Sequence, residues 1–594
     1  MKKRMLMLAT AAILVVFCTG LFAQTTSVGD TLIVGPLNSE GQPLGALNEA
    51  IHGDTTETGE RVHKVYKLQP NAQYILTEVI QADFPLVIVA DEPDDENRPP
   101  IVRCGLKEDG SAVDNWWHLF DDATFKNLWM SGVNLDGTGP IAWIAQTAHA
   151  TQKTITFDGC IVEFPYTWWA TFWDPGGPNN YIIKDCLFKN IGNPTGTTWN
   201  GAVFTDDGHD TVIVHNTTFY KFGCFAVKGA FYTEIDHCSF INSVVHPIDN
   251  HRHVNRKYTN NLFVNVHAFS DDEDEIKRHF DQEVKGIMNY AEIQWDPQEL
   301  DSLWGPGGVY GKTYDPDGDG TLIPEEMNWQ LKNNAWWYTQ PIEDYWAAWD
   351  NVTANPWMNN YNQAMFESSD EEGTWTWSVM TYERDTNDVI IDSSEVTVEH
   401  EPFLYFNEEN TWNVDPGVTN MNGTDELLAT NSDNIRKEWA GEEVEPVKWH
   451  GVDNYLDFTW PVTFDLSYSN ATLQTAGTDG LPLGDLNWWP EIYVDVEDKT
   501  VVSDFKLGAN YPNPFNPTTT IDYQINQPGQ VKLNVYNVLG EKVKTLVNEN
   551  KIAGTYQVTW EGTNDMNVKV ATGVYFYKLE MGDQVQIQKM MLVK

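Results

Sequence analysis

The sequence is poor in cysteine and in basic residues, and both shortages exclude a class of protein. Only six of its 594 residues are cysteine, and Cys18 lies in the N-terminal apolar run. The sparse, odd set that remains excludes a disulfide-based framework. Lysine and arginine number 37 against 86 acidic residues, which gives a net charge of -49. Because phosphate contacts need positive charge, the acidic body is not a nucleic-acid binder.

Long apolar runs are also scarce, and only the N-terminus contains one. Three basic residues at 2–4 precede a mostly apolar stretch up to Phe22, with small residues around Ala23. This pattern predicts a secretory signal peptide over residues 1–23. A membrane anchor is the alternative, but the apolar core is short and contains two threonines. No later segment is apolar enough to cross a bilayer, so no transmembrane segment is expected.

The C-terminal segment differs from the body in charge and in pattern. From Phe505 to Lys594, nine lysines stand against seven acidic residues, so a domain boundary is expected near residue 505. Apolar residues alternate along short runs separated by turns, as in "VKLNVYNVLG" and "GVYFYKLEMG". This alternation is typical of a small antiparallel β-sandwich.

Specific motifs in this segment carry a resemblance to a known domain. With "NYPNPFNPTTTIDYQI", "VYNVLGEKVKTLV" and the terminal "KMMLVK", residues 505–594 resemble the C-terminal sorting domain of type IX secretion substrates. The resemblance implies an Ig-like β-sandwich that the type IX secretion machinery recognises. It also implies transport across the inner and outer membranes to the medium or the cell surface of a Gram-negative cell. A generic Ig-like adhesion module is the alternative.

A short pattern recurs through the first half of the body. Segments such as "FDGCIVEF", "IKDCLFKNI" and "IDHCSFINS" share one order of polar, small and apolar residues, and successive copies lie 21 to 32 residues apart. A fixed minimum spacing with variable excess predicts stacked strands with insertions confined to loops. The equivalent core positions are Leu128, Cys160, Cys186, Thr217, Cys238 and Asn261. We interpret the cysteines as an internal stack of thiols in preference to a metal or redox site, since buried cysteine acts as a small apolar residue.

The body resembles the right-handed parallel β-helix of the pectate-lyase-like superfamily. "FPLVIVADEPDDENRPPIVR" resembles the first complete turn of that family, and "NWQLKNNAWWYTQ" at 328–340 resumes the pattern. We therefore predict an all-β protein with a right-handed parallel β-helix over residues 24–340, interrupted by an insertion at 268–327. Residues 341–504 form either later turns of the helix or an appended β region. The C-terminal Ig-like β-sandwich follows.

The predicted insertion contains a candidate calcium loop, "DPDGDGTLIPEE" at 315–326. Its spacing matches an EF-hand or dockerin-like loop, in which alternating carboxylates surround one cation, glycine allows the sharp turn and a final glutamate closes the shell. An acidic solvated turn is the alternative. The predicted ligands of the calcium ion are Asp315, Asp317, Asp319, the carbonyl group of Thr321, and Glu326.

No complete catalytic motif is present, and the best candidate is the basic cluster "HPIDNHRHVNRK" at 246–257. By resemblance, β-helix polysaccharide lyases use arginine or lysine to remove a proton next to a sugar carboxylate. Arg252, Arg256 and His253 are the candidates on this basis, with Lys228 and His237 nearby. The arginine-proline stretch and the calcium-binding aspartates of that family are missing. Salt bridges within a loop are the interpretation that we favour.

Tryptophan is abundant, with 25 residues, and its flat apolar face can stack on sugar rings. Packing of loops explains most of them. Trp168, Trp169 and Trp173 are the candidates for binding a polysaccharide. Three functions remain open: a surface protein that binds a glycan, a polysaccharide lyase or another carbohydrate-active enzyme, and a structural or adhesive component.

One further motif occurs near both ends of the body. "GQPLGALN" at 41–48 and "GLPLGDLN" at 480–487 share the pattern G-x-P-L-G-x-L-N. The two copies lie too far apart for the period of a repeat. Their proline and glycine content predicts a shared turn more than a shared site.

Overall fold

A computed structural model shows a chain of two compact units, Met1–Ile492 and Tyr493–Lys594. The described residues are 25–107, 110, 113, 116–132, 145–146, 153–164, 172–173, 179–191, 209–223, 226–228, 230–244, 247–249, 255–269, 288–289, 329–349, 375–384, 390–400, 406–444, 458–489, 505–525, 529–538, 542–551, 554–565, 568–581 and 584–593.

Three sets of parallel strands build the first unit, and successive passes of the chain add strands to them. We call the sets the first, second and third ladders. The first ladder consists of Thr31–Val34, Val65–Leu68, Leu86–Val89, Ala123–Lys126, Thr154–Asp158, Asn180–Lys184, His209–His215, Ala230–Asp236, Asn255–Thr259, Trp329–Trp337 and Phe406–Asn413.

The second ladder follows the first in each pass, in most passes after a short turn. It consists of Gln73–Leu76, Ile101–Cys104, Trp129–Ser131, Ile161–Glu163, Leu187–Ile191, Thr218–Phe222, Ser239–Ser243 and Leu262–Val264, and ends on the second half of Trp329–Trp337.

The third ladder is the shortest and is described in two parts. One part contains Ile80–Ala82, Trp117–Leu119, Ala145–Gln146 and Phe172–Trp173. The other contains Val227–Lys228, Ile248–Asp249 and Met288–Asn289. The predicted β-rich class with a large parallel sheet is thus confirmed, and three ladders wound by one chain are compatible with a parallel β-helix.

The strand register places the predicted core positions in one column. Trp129 pairs with Ile161, Ile161 with Leu187, and the pairing continues through Thr218, Ser239 and Leu262. The residue before each of these is therefore equivalent. The predicted column is confirmed, and it consists of Leu128, Cys160, Cys186, Thr217, Cys238 and Asn261.

The thiols of this column lie inside the unit and contact the neighbouring passes. The amide of Cys160 donates to Sγ of Cys186 at 3.4 Å, and the amide of Cys186 donates to Oγ1 of Thr217 at 3.3 Å. Burial raises the pKa of the thiols of Cys186 and Cys238. A buried, protonated thiol is a poor nucleophile and a poor metal ligand, which supports the packing interpretation.

A turn with a left-handed residue connects the first ladder to the second. Asparagine reaches this conformation at lower cost than most residues because its short polar side chain bonds locally. The side chains also bond between passes, as Asn410 Nδ2 does to Asn333 Oδ1 at 3.1 Å. The equivalent turn residues of successive passes all have a positive φ, and they are Asn127, Gly159, Asp185, Asn216, His237, Asn260, Asn333 and Asn410.

Aromatic rings continue the interior stacking along the second ladder. Phe188, Phe219, Phe240 and Phe263 stack in sequence, with ring centroids 5.1, 5.0 and 4.8 Å apart. These distances are close to the spacing of about 4.8 Å between neighbouring strands. Each of these four passes therefore stabilises its neighbour through a ring contact as well as through backbone hydrogen bonds.

Residues 458–489, which we call the covering segment, pack on the outer side of the second ladder. Leu466, Leu473 and Leu483 form one apolar cluster with Ile241 and Leu262 of the ladder. The segment contains the strand Asp465–Tyr468 and the 3₁₀ turns Leu473–Thr475 and Leu486–Trp488, and that strand pairs with Val418–Asn420.

The described part of the first unit also contains helices and a long hairpin. The described helices are Ala46–His52, Gln340–Ala347 and Thr424–Trp439. The hairpin is Trp375–Arg384 with Ile390–His400. An antiparallel strand, Thr26–Val28, pairs with Thr31–Val34 at the N-terminal end. The described residues between 341 and 504 therefore contribute one further strand of the first ladder together with elements outside the ladders.

The second unit consists of two antiparallel sheets around one apolar core, as expected for a β-sandwich. The first sheet contains Lys506–Leu507, Thr519–Ile525 and Gly554–Trp560. The second contains Lys542–Lys551, Gly529–Tyr536, Gly573–Met581 and Gln584–Leu592 in that order. Apolar residues of both sheets, including Ile521, Leu533 and Tyr577, are fully buried between them.

Candidate functional site

The predicted basic cluster is only partly described, and its described arginine is buried. Arg252 and His253 lie outside the described residues. Arg256 lies in Asn255–Thr259 of the first ladder and is 2% exposed. It pairs with Thr233, which pairs with the buried core residue Val212. Arg256 thus shares a column with residues of the interior.

His237 and Lys228, which lie close to the predicted cluster in sequence, occupy two different parts of the fold. His237 is one of the left-handed turn residues, and its Nε2 lies 3.1 Å from Oδ2 of Asp479 in the covering segment. This contact between a buried histidine and a partly exposed aspartate gives His237 a role in attaching the segment. Lys228 lies in the third ladder, where it pairs with Asp249.

The described part of the predicted tryptophan group also belongs to the third ladder. Trp173 pairs with Gln146, which pairs with His118, which pairs with Gln81. Trp168 and Trp169 lie outside the described residues. The backbone register therefore brings a predicted sugar-stacking residue into line with three polar positions that the sequence reasoning missed.

Alternation along two strands shows which side of the third ladder these positions occupy. In Ile80–Ala82 the first and last residues are buried and Gln81 is exposed. In Trp117–Leu119 the first and last residues are buried and His118 is partly exposed. Because side chains alternate between the two faces of a strand, Gln81 and His118 occupy the outer face. The signal was present in "IQA" and "WHL", but three residues are too few to identify a strand.

We call the register positions in line with Gln81 and His118 the third-ladder row. Its residues carry amide, imidazole and indole groups and no charged group at neutral pH. Burial lowers the pKa of His118, so its ring is neutral near pH 7 and can accept as well as donate a hydrogen bond. The members are Gln81, His118, Gln146 and Trp173, and Lys228, Asp249 and Asn289 share a separate register in the other part of the ladder.

The outer side of the first ladder presents charges that neutralise each other. Asp158 lies 3.0 Å from Nζ of Lys184 and 3.5 Å from Nζ of Lys126. Glu234 lies 2.8 Å from Nζ of Lys257 and 3.1 Å from Nε2 of His215. Charges that are paired between neighbouring passes stabilise the stack modestly and leave little free charge for a ligand.

The predicted calcium loop, Asp315 to Glu326 with its ligands Asp317, Asp319 and Thr321, lies outside the described residues. Within the described residues, no group of three or more histidine, cysteine or acidic side chains is arranged to hold a metal ion.

The C-terminal strand of the second unit presents apolar side chains to solvent. Val585, Ile587, Met591 and Val593 occupy alternate positions and are between 37% and 58% exposed. Phe576, on the neighbouring strand, is 36% exposed and pairs with Lys589. Exposed apolar side chains grouped on one face are typical of a surface that contacts another protein.

Comparison with known families identifies the second unit. Residues 509–594 match the family described as "Secretion system C-terminal sorting domain". The resemblance expected for residues 505–594 is therefore confirmed, and with it the partnership with the type IX secretion machinery. The protein is exported to the cell surface or secreted.

Seven solved chains also match locally, and two of them are proteins of Porphyromonas gingivalis. Dimeric latent PorU is 20% identical with a TM-score of 0.13, and the match covers 14% of this chain and 9% of that one. PorZ, described as an essential bacterial surface component of the type IX secretion system, is 15% identical with a TM-score of 0.12, and the match covers 20% and 14%. This chain thus spans far less than two thirds of either relative.

No curated protein matches the chain. Among the helices that the structure describes, none is both long and apolar enough to cross a membrane.

Proposed function

We propose that the first unit binds a polysaccharide along the third-ladder row after the sorting domain has directed the protein out of the cell. The observation that carries this proposal is the alignment of Trp173 with Gln146, His118 and Gln81 in successive passes. Neighbouring passes are about 4.8 Å apart, so the row repeats on the length scale of the units of a sugar polymer.

The chemistry of the row suits hydroxyl groups better than it suits a charged partner. Amide and neutral imidazole groups both donate and accept hydrogen bonds, and an indole ring offers an apolar face. The net charge of -49 repels a polyanion unless cations screen the interaction. The proposal therefore favours an uncharged polysaccharide, or an acidic one in the presence of calcium.

Affinity electrophoresis tests the proposal directly. The exported protein is run in native gels that contain neutral or acidic polysaccharides, each with and without calcium. We expect one class to retard the protein, and we expect Trp173→Ala and His118→Ala each to raise the apparent Kd about tenfold or more, since each removes one aligned contact.

Lys184→Ala is the matched control, because Lys184 lies on the outer side of the first ladder. An equal loss of affinity in Trp173→Ala, His118→Ala and Lys184→Ala would overturn the proposal. No retardation of the protein by any polysaccharide would also overturn it. Release of an unsaturated, ultraviolet-absorbing product during the same incubation would instead identify a polysaccharide lyase, and sedimentation as large assemblies without any sugar would identify a structural component.

We also propose that residues 315–326 bind one calcium ion that stabilises the predicted insertion. The loop "DPDGDGTLIPEE" has carboxylates at positions 1, 3 and 5, glycine at 6 and glutamate at 12, which is the arrangement calcium requires. Chelation of calcium should lower the Tm of the protein. Glu326→Gln should remove that dependence. A Tm that does not respond to chelator would contradict the proposal.

A further inference from the structure

Three side chains at the N-terminal end of the first unit form a hydrogen-bonded chain of serine, histidine and aspartate. Oγ of Ser27 lies 2.9 Å from Nε2 of His63. Nδ1 of the same ring lies 2.6 Å from Oδ1 of Asp54. The two distances fall within the range in which a serine, its base and the orienting carboxylate act together.

Asp54 is held in place from several sides. Its Oδ2 accepts hydrogen bonds from the hydroxyl group of Tyr66 at 2.8 Å and from the amide of His63 at 3.1 Å. Burial alone would raise the pKa of Asp54, but the hydrogen bonds from His63 and Tyr66 outweigh it and hold the pKa below its ordinary value. The carboxylate therefore stays charged at neutral pH.

A charged carboxylate fixes the tautomer of the histidine. Asp54 can only accept, so in the neutral ring of His63 the proton lies on Nδ1 and the lone pair on Nε2. That lone pair faces the hydroxyl group of Ser27, which donates to it. The side chain of His63 is 9% exposed and that of Asp54 is 4% exposed, so packing holds the ring in this orientation.

Ser27, by contrast, is accessible. All three residues of Thr26–Val28 are exposed, and among the described strands this one pairs only with Thr31–Val34. Two residues, Gly29 and Asp30, join the two strands. In a hairpin of this kind, the pair next to the turn, Val28 and Thr31, exchanges backbone hydrogen bonds, and the following pair, Ser27 and Leu32, does not. Ser27 belongs to the second pair, so the hairpin rule directs its amide towards the open edge of the strand.

We propose that Ser27, His63 and Asp54 form an acyl-transfer site that hydrolyses small esters. Oγ of Ser27 attacks the ester carbonyl carbon while its proton moves to Nε2 of His63. The bond between that carbon and the alcohol oxygen then breaks, and the alcohol leaves with the proton from His63. A water molecule repeats the two steps on the acyl group and restores the serine. Asp54 stabilises the imidazolium, and the amide of Ser27 is one donor to the oxyanion.

The position of Ser27 limits the substrate. An exposed serine on an open strand reaches a short acyl group, such as an acetyl ester, on a soluble alcohol or a polymer. The site lies on Thr26–Val28 and not on the third ladder, so this proposal does not depend on the binding of a polysaccharide.

Labelling with a fluorophosphonate probe and hydrolysis of p-nitrophenyl acetate by the exported protein test the proposal. We expect the probe to modify a peptide that contains Ser27. Ser27→Ala should abolish labelling, and His63→Gln should reduce the rate of labelling at least 100-fold, because the serine then lacks its base. Ser39→Ala, which changes another exposed serine of the same region, should label normally.

The thermal unfolding of each variant separates catalysis from packing, since Ser27 also ties the terminal strand to His63. A folded protein that the probe does not label at Ser27 would overturn the proposal. Equal labelling of the folded His63→Gln variant, or hydrolysis that Ser27→Ala leaves unchanged, would do the same.

Discussion

Asp485 places a carboxyl group between the covering segment and the second ladder. Its Oδ2 accepts a hydrogen bond from Thr218 at 2.6 Å, and its Oδ1 accepts one from the amide of Asn487 at 2.9 Å. Burial, together with the nearby charge of Asp185, raises the pKa of Asp485 to about 8, and these hydrogen bonds only partly offset that effect. The group is therefore neutral at pH 7 in the folded protein.

The free energy of unfolding should fall as the pH rises, and Asp485→Asn should remove most of this fall. The unfolded chain ionises Asp485 above its ordinary pKa of 3.8, whereas the folded chain does not until about pH 8. Stability is thus lost between these values and levels off above them. Asparagine resembles the neutral acid. Relative to the unmodified protein, the free energy of unfolding of Asp485→Asn should therefore be higher at pH 8.5 than at pH 4.5 by on the order of 5 kcal/mol, measured by urea unfolding.

The contact of His237 with Asp479 should give the free energy of unfolding a second, smaller dependence on pH. Burial disfavours its charge, but the hydrogen bond with Asp479 and the charge of Asp236 outweigh burial and raise its pKa above 6.5. The stability from this contact is complete below the ordinary pKa and is lost as the pH rises through the raised one. His237→Gln should remove this part alone. A pH dependence that neither variant changes would show that the covering segment is not its source.

At the scale of elements, the covering segment depends on one close approach of backbone to the second ladder. Gly484 donates its amide to the carbonyl group of Asn260 at 2.7 Å and has a φ of +82°. A Cβ atom there would lie 2.5 Å from Oγ of Ser239 and 3.0 Å from Cβ of Leu262. Gly480 has nearly the same φ, +83°, but a Cβ atom there would meet nothing within 4 Å.

These two glycines allow strain to be separated from steric overlap. Both alanine variants should lose about 1–2 kcal/mol from the left-handed backbone. Gly484→Ala should lose about 1–3 kcal/mol more, because the ladder must also move. Urea unfolding of the two variants measures the difference directly. If both variants lose the same free energy of unfolding, the covering segment shifts away from Ser239 without an energetic cost.

The two copies of G-x-P-L-G-x-L-N show what sequence can predict of an element. Gly41 and Gly480 each donate to the carbonyl group three residues earlier at 2.9 Å. Gly45, like Gly484, has a positive φ and donates its amide to a backbone carbonyl group of the ladder region, that of Ile75 at 2.8 Å for Gly45 and that of the turn residue Asn260 for Gly484. A shared turn was the prediction, and local chemistry is enough for it. The strand that each turn contacts is not encoded in the eight residues.

The same distinction explains which parts of the first unit the sequence predicts. The column through Cys160, Cys186 and Cys238 was predictable because each pass repeats the same short pattern. The covering segment was not, because its contacts join residues as distant as Thr218 and Asp485 and it has no period. The third ladder was missed because its strands have only two or three residues. Nothing in a motif connects Ser27 to its base, since only the fold brings them together.

At the scale of the whole molecule, the candidate sites and the sorting domain lie in different units. The first unit carries the net negative charge and the candidate sites, and the second carries the sorting domain. The exposed apolar side chains of Gln584–Leu592 belong to the second unit. Solvent-exposed isoleucine and valine on a strand add little to stability, so we infer that they contact the secretion machinery during export.

Ile587→Asp should therefore lower export without unfolding the sorting domain. Ile587 is 58% exposed, so the change should alter the free energy of unfolding by less than about 0.5 kcal/mol, whereas a charge in an apolar contact with a partner is unfavourable. Val568→Asp is the matched control, because Val568 is equally exposed but lies outside the terminal strand. Immunoblots of medium, cell surface and cell interior should show the protein retained in cells only for Ile587→Asp. Equal export of both variants would mean that the machinery recognises another face of the sandwich, since the two changes introduce the same charge at the same exposure.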